Sequence, residues 1–235
     1  MSLRSSDALG AAVVMTALLT IMSAPWAMNL PALAWVFKPL TTVLIIGYAW
    51  GRGRNMPAAR RWVLVGLVCS LIGDVALLWP DVGFLPGLVS FLLAHAAYLV
   101  AFTRVRRFFG WWLSFLVYAL VAGGVLFVLW RTLPSALRWP VLVYVVFLAS
   151  MAAQAAAVWR ASRGTEHAGR AAVLAVGGAL FVLSDALLAV DRFAMPLPLS
   201  GLWILGSYWA AQWCIASWLA PTVRRRVHMP LKRPV

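Results

Sequence analysis

Long apolar runs separated by short polar breaks dominate the chain. Eight runs stand out, at roughly 8–24, 32–50, 62–79, 84–102, 111–130, 139–159, 170–190 and 200–219. A membrane helix needs about 20 mostly apolar residues, and each run is close to that length. Backbone facing lipid must satisfy its own hydrogen bonds, so such segments form helices or a closed barrel. Strict period-two alternation is absent, which argues against the barrel. The pattern predicts an all-α fold, a polytopic membrane helical bundle of eight transmembrane helices. The connections are short, so residues 1–235 form a single transmembrane domain, with a basic tail at 220–235. No convincing small-residue cleavage site follows the first run, which is therefore read as a membrane helix and not a removed signal peptide.

Composition agrees. Hydrophobic residues make up 64% of the chain and charged residues 11%, against about 45–50% and about 25% in soluble domains. The net charge of +14 could suggest a nucleic-acid partner. The basic residues, however, sit in short runs between apolar segments, with no polar domain to present them, so no nucleic acid is expected. Arg52, Arg54, Arg60 and Arg61 join runs two and three; Arg104, Arg106 and Arg107 join four and five. Arg160, Arg163 and Arg170 join six and seven, and Arg224, Arg225, Arg226, Lys232 and Arg233 follow run eight. With Arg4, one side of an eight-helix bundle holds 16 cations, whereas Arg131, Arg138 and Arg192 alone fall on the other. The positive-inside rule puts the 16-cation side, and with it both termini, in the cytoplasm. Frequent Ala and a strong preference for Arg over Lys resemble high-GC bacterial coding, so the expected location is the bacterial cytoplasmic (inner) membrane. Cys69 and Cys214 lie in apolar runs and read as small core residues.

Only six residues are acidic: Asp7, Asp74, Asp81, Glu166, Asp185 and Asp191. Asp7 and Glu166 belong to solvated ends and loops, and Asp81 and Asp191 to the outer loop boundary. Asp74 and Asp185 fall inside runs. An ionised group at that depth costs at least about 2.5–3.5 kcal/mol, which makes it a functional candidate. The topology places Asp74, Asp185 and Lys38 in the outer half. His95 falls near the middle with Tyr98 one turn deeper, Tyr208 in the outer half and Gln212 near the middle. Polar groups of five helices thus share one band. Ser70 and Asp74 lie four apart on one face, as do Tyr208 and Gln212, and His95 and Tyr98 lie three apart. Asp74 and Asp185 are also 111 residues apart, each followed by a Leu three residues on and a second Asp six or seven on. Four helices plus four would form a parallel internal repeat about the membrane normal.

Blander readings stand beside these. Lys38 near a helix end can snorkel, or pair with one carboxylate but not with two. His95 can be a satisfied core histidine, and Tyr98, Tyr208 and Gln212 can be hydrogen-bond glue between helices. No metal and no cofactor are expected. His95 is the one intramembrane histidine, too few for a membrane zinc hydrolase, and no nucleophile elbow, CxxC, HExxH or phosphate loop is present. What remains is a pair of buried carboxylates, a cation, an imidazole and two phenols. Two carboxylates in unlike surroundings can serve as general acid and general base.

Lys38-Pro-Leu-Thr-Thr42, Ser70-Leu-Ile-Gly-Asp74-Val-Ala-Leu-Leu78, His95-Ala-Ala-Tyr98, Gly178-Ala-Leu-Phe-Val-Leu-Ser184-Asp185-Ala-Leu-Leu-Ala189 and Tyr208-Trp-Ala-Ala-Gln212 resemble the motifs of the YhhN-like lysoplasmalogenases. The resemblance runs from about Phe37 to Gln212; runs one, five and six carry no distinctive match. It implies an eight-helix integral-membrane hydrolase. The implied substrate is a lysophospholipid with a vinyl-ether-linked tail, released as a fatty aldehyde and a glycerophospho-ethanolamine or -choline. Asp74 and Asp185 are then the expected catalytic pair, flanking an oxocarbenium ion much as glycosidase carboxylates do. Lys38 would tune one of them or bind phosphate. His95, Tyr98, Tyr208 and Gln212, with Ser70 and Ser184 beside them, would position water and headgroup. The tail would lie between apolar helices, reachable sideways from the bilayer, with membrane lipids as the other partners. Two other classes fit the same residues: a proton-coupled transporter, for which matched helix breaks are weak in the sequence, and a lipid sensor without turnover.

Overall fold

The computed structural model describes residues 3–79 and 81–221, with the side chains of 3–6 left aside. The Arg4 side chain and the predicted basic tail beyond residue 221 thus lie outside what is described. Among the described residues the chain forms eight helices. They are α1 (Leu3–Met22), α2 (Pro31–Trp50), α3 (Pro57–Ala76), α4 (Phe84–Thr103), α5 (Trp112–Leu129), α6 (Ser135–Ser162), α7 (Ala168–Phe193) and α8 (Ser200–Trp218). Every predicted run finds its helix. The ends differ by up to five residues, most at α1, α3 and α6, because interfacial residues such as Arg60 and Arg160 continue a helical turn past the apolar stretch.

Five helices (α2, α4, α5, α6 and α7) are long and apolar enough to cross a membrane. α3 is diluted by Arg60, Arg61 and Asp74, and α8 by Ser200, Gln212 and several Trp residues. The surface is apolar: Phe127 is 84% and Leu120 67% exposed. The interior instead holds Lys38, Thr42, Ser70, Asp74, His95 and Gln212. Apolar exposure on this scale calls for an apolar surrounding.

Most consecutive helices pack together; the exception is α4 and α5. α4 instead meets α6, and α8 closes the bundle against α1 and α2. α5 stands at the periphery, against α6 and an edge of α7. Pro39 in α2 and Pro140 in α6 lie within continuous helices. Arg52 ties the α2–α3 loop to the end of α8, its Nε donating to the Leu219 carbonyl at 2.9 Å. Gln154 does the same for the α4–α5 loop, donating to the Arg106 carbonyl at 2.7 Å. Anchored ends leave the middle of the bundle as a fixed frame for the polar groups.

Candidate active site

Asp74 is 1% exposed and belongs to the last turns of α3. Its Oδ2 accepts two hydroxyls, from Thr42 of α2 at 2.6 Å and from Tyr208 of α8 at 2.7 Å. Gly73 permits this arrangement: a methyl group there would meet the Phe91 ring at 2.6 Å, and Phe91 sits edge-on to Tyr208. Behind Tyr208 the network continues. Gln212 donates to the Tyr208 oxygen at 3.2 Å and accepts from the Tyr98 hydroxyl at 2.6 Å. The indole of Trp209 donates to Thr42 at 3.3 Å.

Asp185 lies on α7, and its side chain is 14% exposed. Its Oδ2 accepts the Tyr144 hydroxyl of α6 at 2.6 Å and lies 3.3 Å from Nε2 of His95 on α4. His95 Nε2 is also 2.9 Å from the Tyr144 oxygen. With Tyr144 donating to the carboxylate, its oxygen accepts from an Nε2–H of His95, which fixes the tautomer. Among the described residues neither carboxylate's Oδ1 accepts a protein hydrogen bond. One oxygen of each is thus held and the other remains for substrate or water.

The two carboxylates line one cavity of about 320 Å³, near the lower end of ligand-site volumes. Lys38, Tyr144, Ser184, Tyr208 and Arg192 line it too. The remaining wall is apolar: Phe84, Leu88 and Phe91 of α4, Val121, Val125 and Leu126 of α5, Val141, Val145 and Leu148 of α6, and Val182 and Ala189 of α7. A cavity that joins a few polar groups to a largely apolar wall suits an amphiphile whose reacting bond joins its two halves.

Of the residues singled out in the sequence, Lys38, Asp74, Ser184, Asp185 and Tyr208 line the cavity. His95, Tyr98 and Gln212 stand behind it as hydrogen-bond partners. Ser70 is fully buried next to Tyr98. Ser184 donates to the Ile204 carbonyl at 2.9 Å, so its hydroxyl ties α7 to α8. Lys38 is 8% exposed and does not snorkel. Among the described residues it has no carboxylate within 4.0 Å, so it acts on its electrostatic neighbour Asp74 through its field and not as a contact ion pair. No cluster of three or more metal-ligating side chains occurs among the described residues. Sequence reasoning missed Tyr144, the group that joins His95 to Asp185, and it left Thr42 as a mere neighbour of Lys38. Asp191 and Arg192, at the outer boundary by the sequence reading, belong to the last turn of α7, and Arg192 lines the cavity.

The YhhN family model matches residues 33–219. Lysoplasmalogenase TMEM86A of Bos taurus is 35% identical over 180 residues, covering 74% of this chain and 71% of that protein. Lysoplasmalogenase TMEM86B of Homo sapiens is 34% identical over 176 residues, covering 74% and 70%. The uncharacterized membrane protein YhhN of Escherichia coli O157:H7 is 30% identical over 125 residues, covering 53% and 59%. No solved structure matches the chain.

Proposed function

The chain belongs to the YhhN family, and from that premise we propose that it is an integral-membrane lysoplasmalogenase, a vinyl-ether hydrolase that uses Asp74 and Asp185 as its acid–base pair. The observation that carries this reading is the single cavity bearing both carboxylates in a largely apolar wall.

The reaction sets the requirements. A carboxylic acid protonates the β-carbon of the vinyl ether, and the double-bond electrons form the new C–H bond. The positive charge moves to the carbon bonded to oxygen as an oxocarbenium ion. Water adds there and gives up a proton, and the hemiacetal collapses to aldehyde and alcohol. The sum is lysoplasmalogen plus water to fatty aldehyde plus glycerophospho-ethanolamine or -choline. One carboxyl supplies the proton; its partner, ionised, flanks the cation and receives the proton of water. Lys38 sets the field around Asp74, and His95 with Tyr144 orients Asp185. Tyr98 and Gln212 hold the Tyr208 hydroxyl on Asp74.

The same reading takes all eight helices as membrane spans with both termini in the bacterial cytoplasm, supported by the 16-to-three division of loop and terminal cations. A parallel repeat of α1–α4 and α5–α8 is supported by the contacts: α4 packs on α6 as α8 packs on α2. Pro39 and Pro140 lie within the corresponding helices α2 and α6. Both helices run on through their prolines, without the broken segments of many alternating-access carriers.

The test is direct. Purified protein incubated with lysoplasmenylethanolamine or lysoplasmenylcholine should release one fatty aldehyde per glycerophospho product. Asp74→Asn and Asp185→Asn should purify as folded bundles and release none. Near-normal turnover in either variant removes that residue from the mechanism, and absence of aldehyde from the parent across pH 5–9 overturns the hydrolase reading.

A further inference from the structure

Arg192 is the one basic residue besides Lys38 on the cavity wall, and it does different work. It sits in the last turn of α7, exposed, with its guanidinium 4.2 Å from the centre of the Phe84 ring. Phe84 itself meets Phe193 edge-on at 5.6 Å, so an aromatic pair frames that end of the cavity. No carboxylate lies within 4.0 Å of Arg192 among the described residues. The adjacent Asp191 is engaged elsewhere, its Oδ1 accepting the Leu197 N–H at 2.7 Å. Arg192 is thus a stacked guanidinium at a cavity mouth, with its donors directed at no acid.

Its distance from the chemistry is informative. Asp185 and Arg192 are seven residues apart on one helix, which brings them to the same face about 10 Å apart along the axis. An extended chain advances roughly 1.2 Å per bond, so the seven bonds from a vinyl-ether β-carbon through glycerol to phosphorus span about 8 Å. A carboxyl at one end of that span and a guanidinium at the other fit the two residues. Lys38 fits the phosphate less well: it is buried beside Asp74, where a phosphate would face a carboxylate.

We propose that Arg192 is a phosphate-binding site at the cavity mouth that captures the phosphodiester of a lysophospholipid and sets its register against Asp185. The inference rests on the hydrolase reading for its substrate but concerns binding. Arginine suits the task because its planar fork donates two parallel hydrogen bonds to phosphate oxygens.

The probe is hexadecyl-glycerophosphocholine, a saturated ether that cannot undergo the vinyl-ether reaction. Hexadecylglycerol and inorganic phosphate are run beside it on the purified full chain. Arg192→Gln should weaken the phospholipid roughly tenfold or more, as loss of a charge-assisted pair does, and leave hexadecylglycerol unchanged. Arg192→Met, which keeps a stem over Phe84, should match it if the glutamine variant does not purify. Equal losses for both lipids, or none, mean that Arg192 only supports the end of α7 and overturn the site. Inorganic phosphate binding as tightly as the lysophospholipid, in an Arg192-dependent way, overturns the headgroup assignment. Arg192-dependent binding without aldehyde from the parent protein keeps this site and removes the hydrolase. Aldehyde release with Arg192-independent binding does the reverse.

Discussion

The two carboxylate cradles share a plan and differ in content. Asp74 of α3 is held by a hydroxyl from the preceding helix and by a phenol from α8. Asp185 of α7 is held by a phenol from the preceding helix and by an imidazole from α4. In each, one oxygen takes both contacts, two hydrogen bonds at Asp74 and one hydrogen bond with a 3.3 Å imidazole approach at Asp185. The surroundings diverge: the Asp74 cradle is closed, with Lys38 nearby and a hydrogen-bonded tail through Gln212 to Tyr98. The Asp185 cradle is more open and has a histidine in place of the ammonium. A shared plan with unlike partners would be a simple way to give two identical side chains the different acid–base duties proposed for them.

That contrast can be broken in graded steps. Replacing either aspartate by Asn should have the largest effect, a loss of about a thousandfold or more in aldehyde release, measured by single-turnover assay. Equal residual activity in both would fit two indispensable roles; a large surplus in one would reduce that cradle to support. Tyr144→Phe comes next, at about ten- to a hundredfold in kcat. It leaves Asp185 with only the longer His95 contact and removes a hydrogen bond worth about 1.5–3 kcal/mol when one partner is charged. Thr42→Val should cost less, about tenfold at most, because Asp74 keeps Tyr208. If Thr42→Val proves the more damaging, the ranking of the two cradles is inverted. Tyr98→Phe should be mildest, a few-fold in kcat, because it acts on Asp74 only through Gln212 and Tyr208. Melting temperatures of the five variants separate these losses from unfolding.

Much of the frame was legible because a membrane makes it so. Apolar length forecasts each helix, and interfacial arginines blur only the ends. The same economy exposed Asp74, Asp185 and Lys38, since ions stand out in a run such as Phe37 to Ile46. Tyr144 did not stand out: a tyrosine in an apolar helix is ordinary, and its value lies in joining α4 to α7, a contact no local pattern encodes. Thr42 was hidden for a similar reason, its hydroxyl being equally able to bond its own helix. Arg192 is one charge in a loop tally, and its stacking over the Phe84 ring at the cavity wall is a contact no local pattern encodes.

The cavity ends in two unlike places. One is an apolar lobe whose wall, α5, turns its other face outward; the other is a mouth bearing a guanidinium. The proposed hydrolysis between them would generate one fragment that dissolves in oil and one that dissolves in water. Each fragment would find its own solvent on its own side, so departure would separate the products without any moving part.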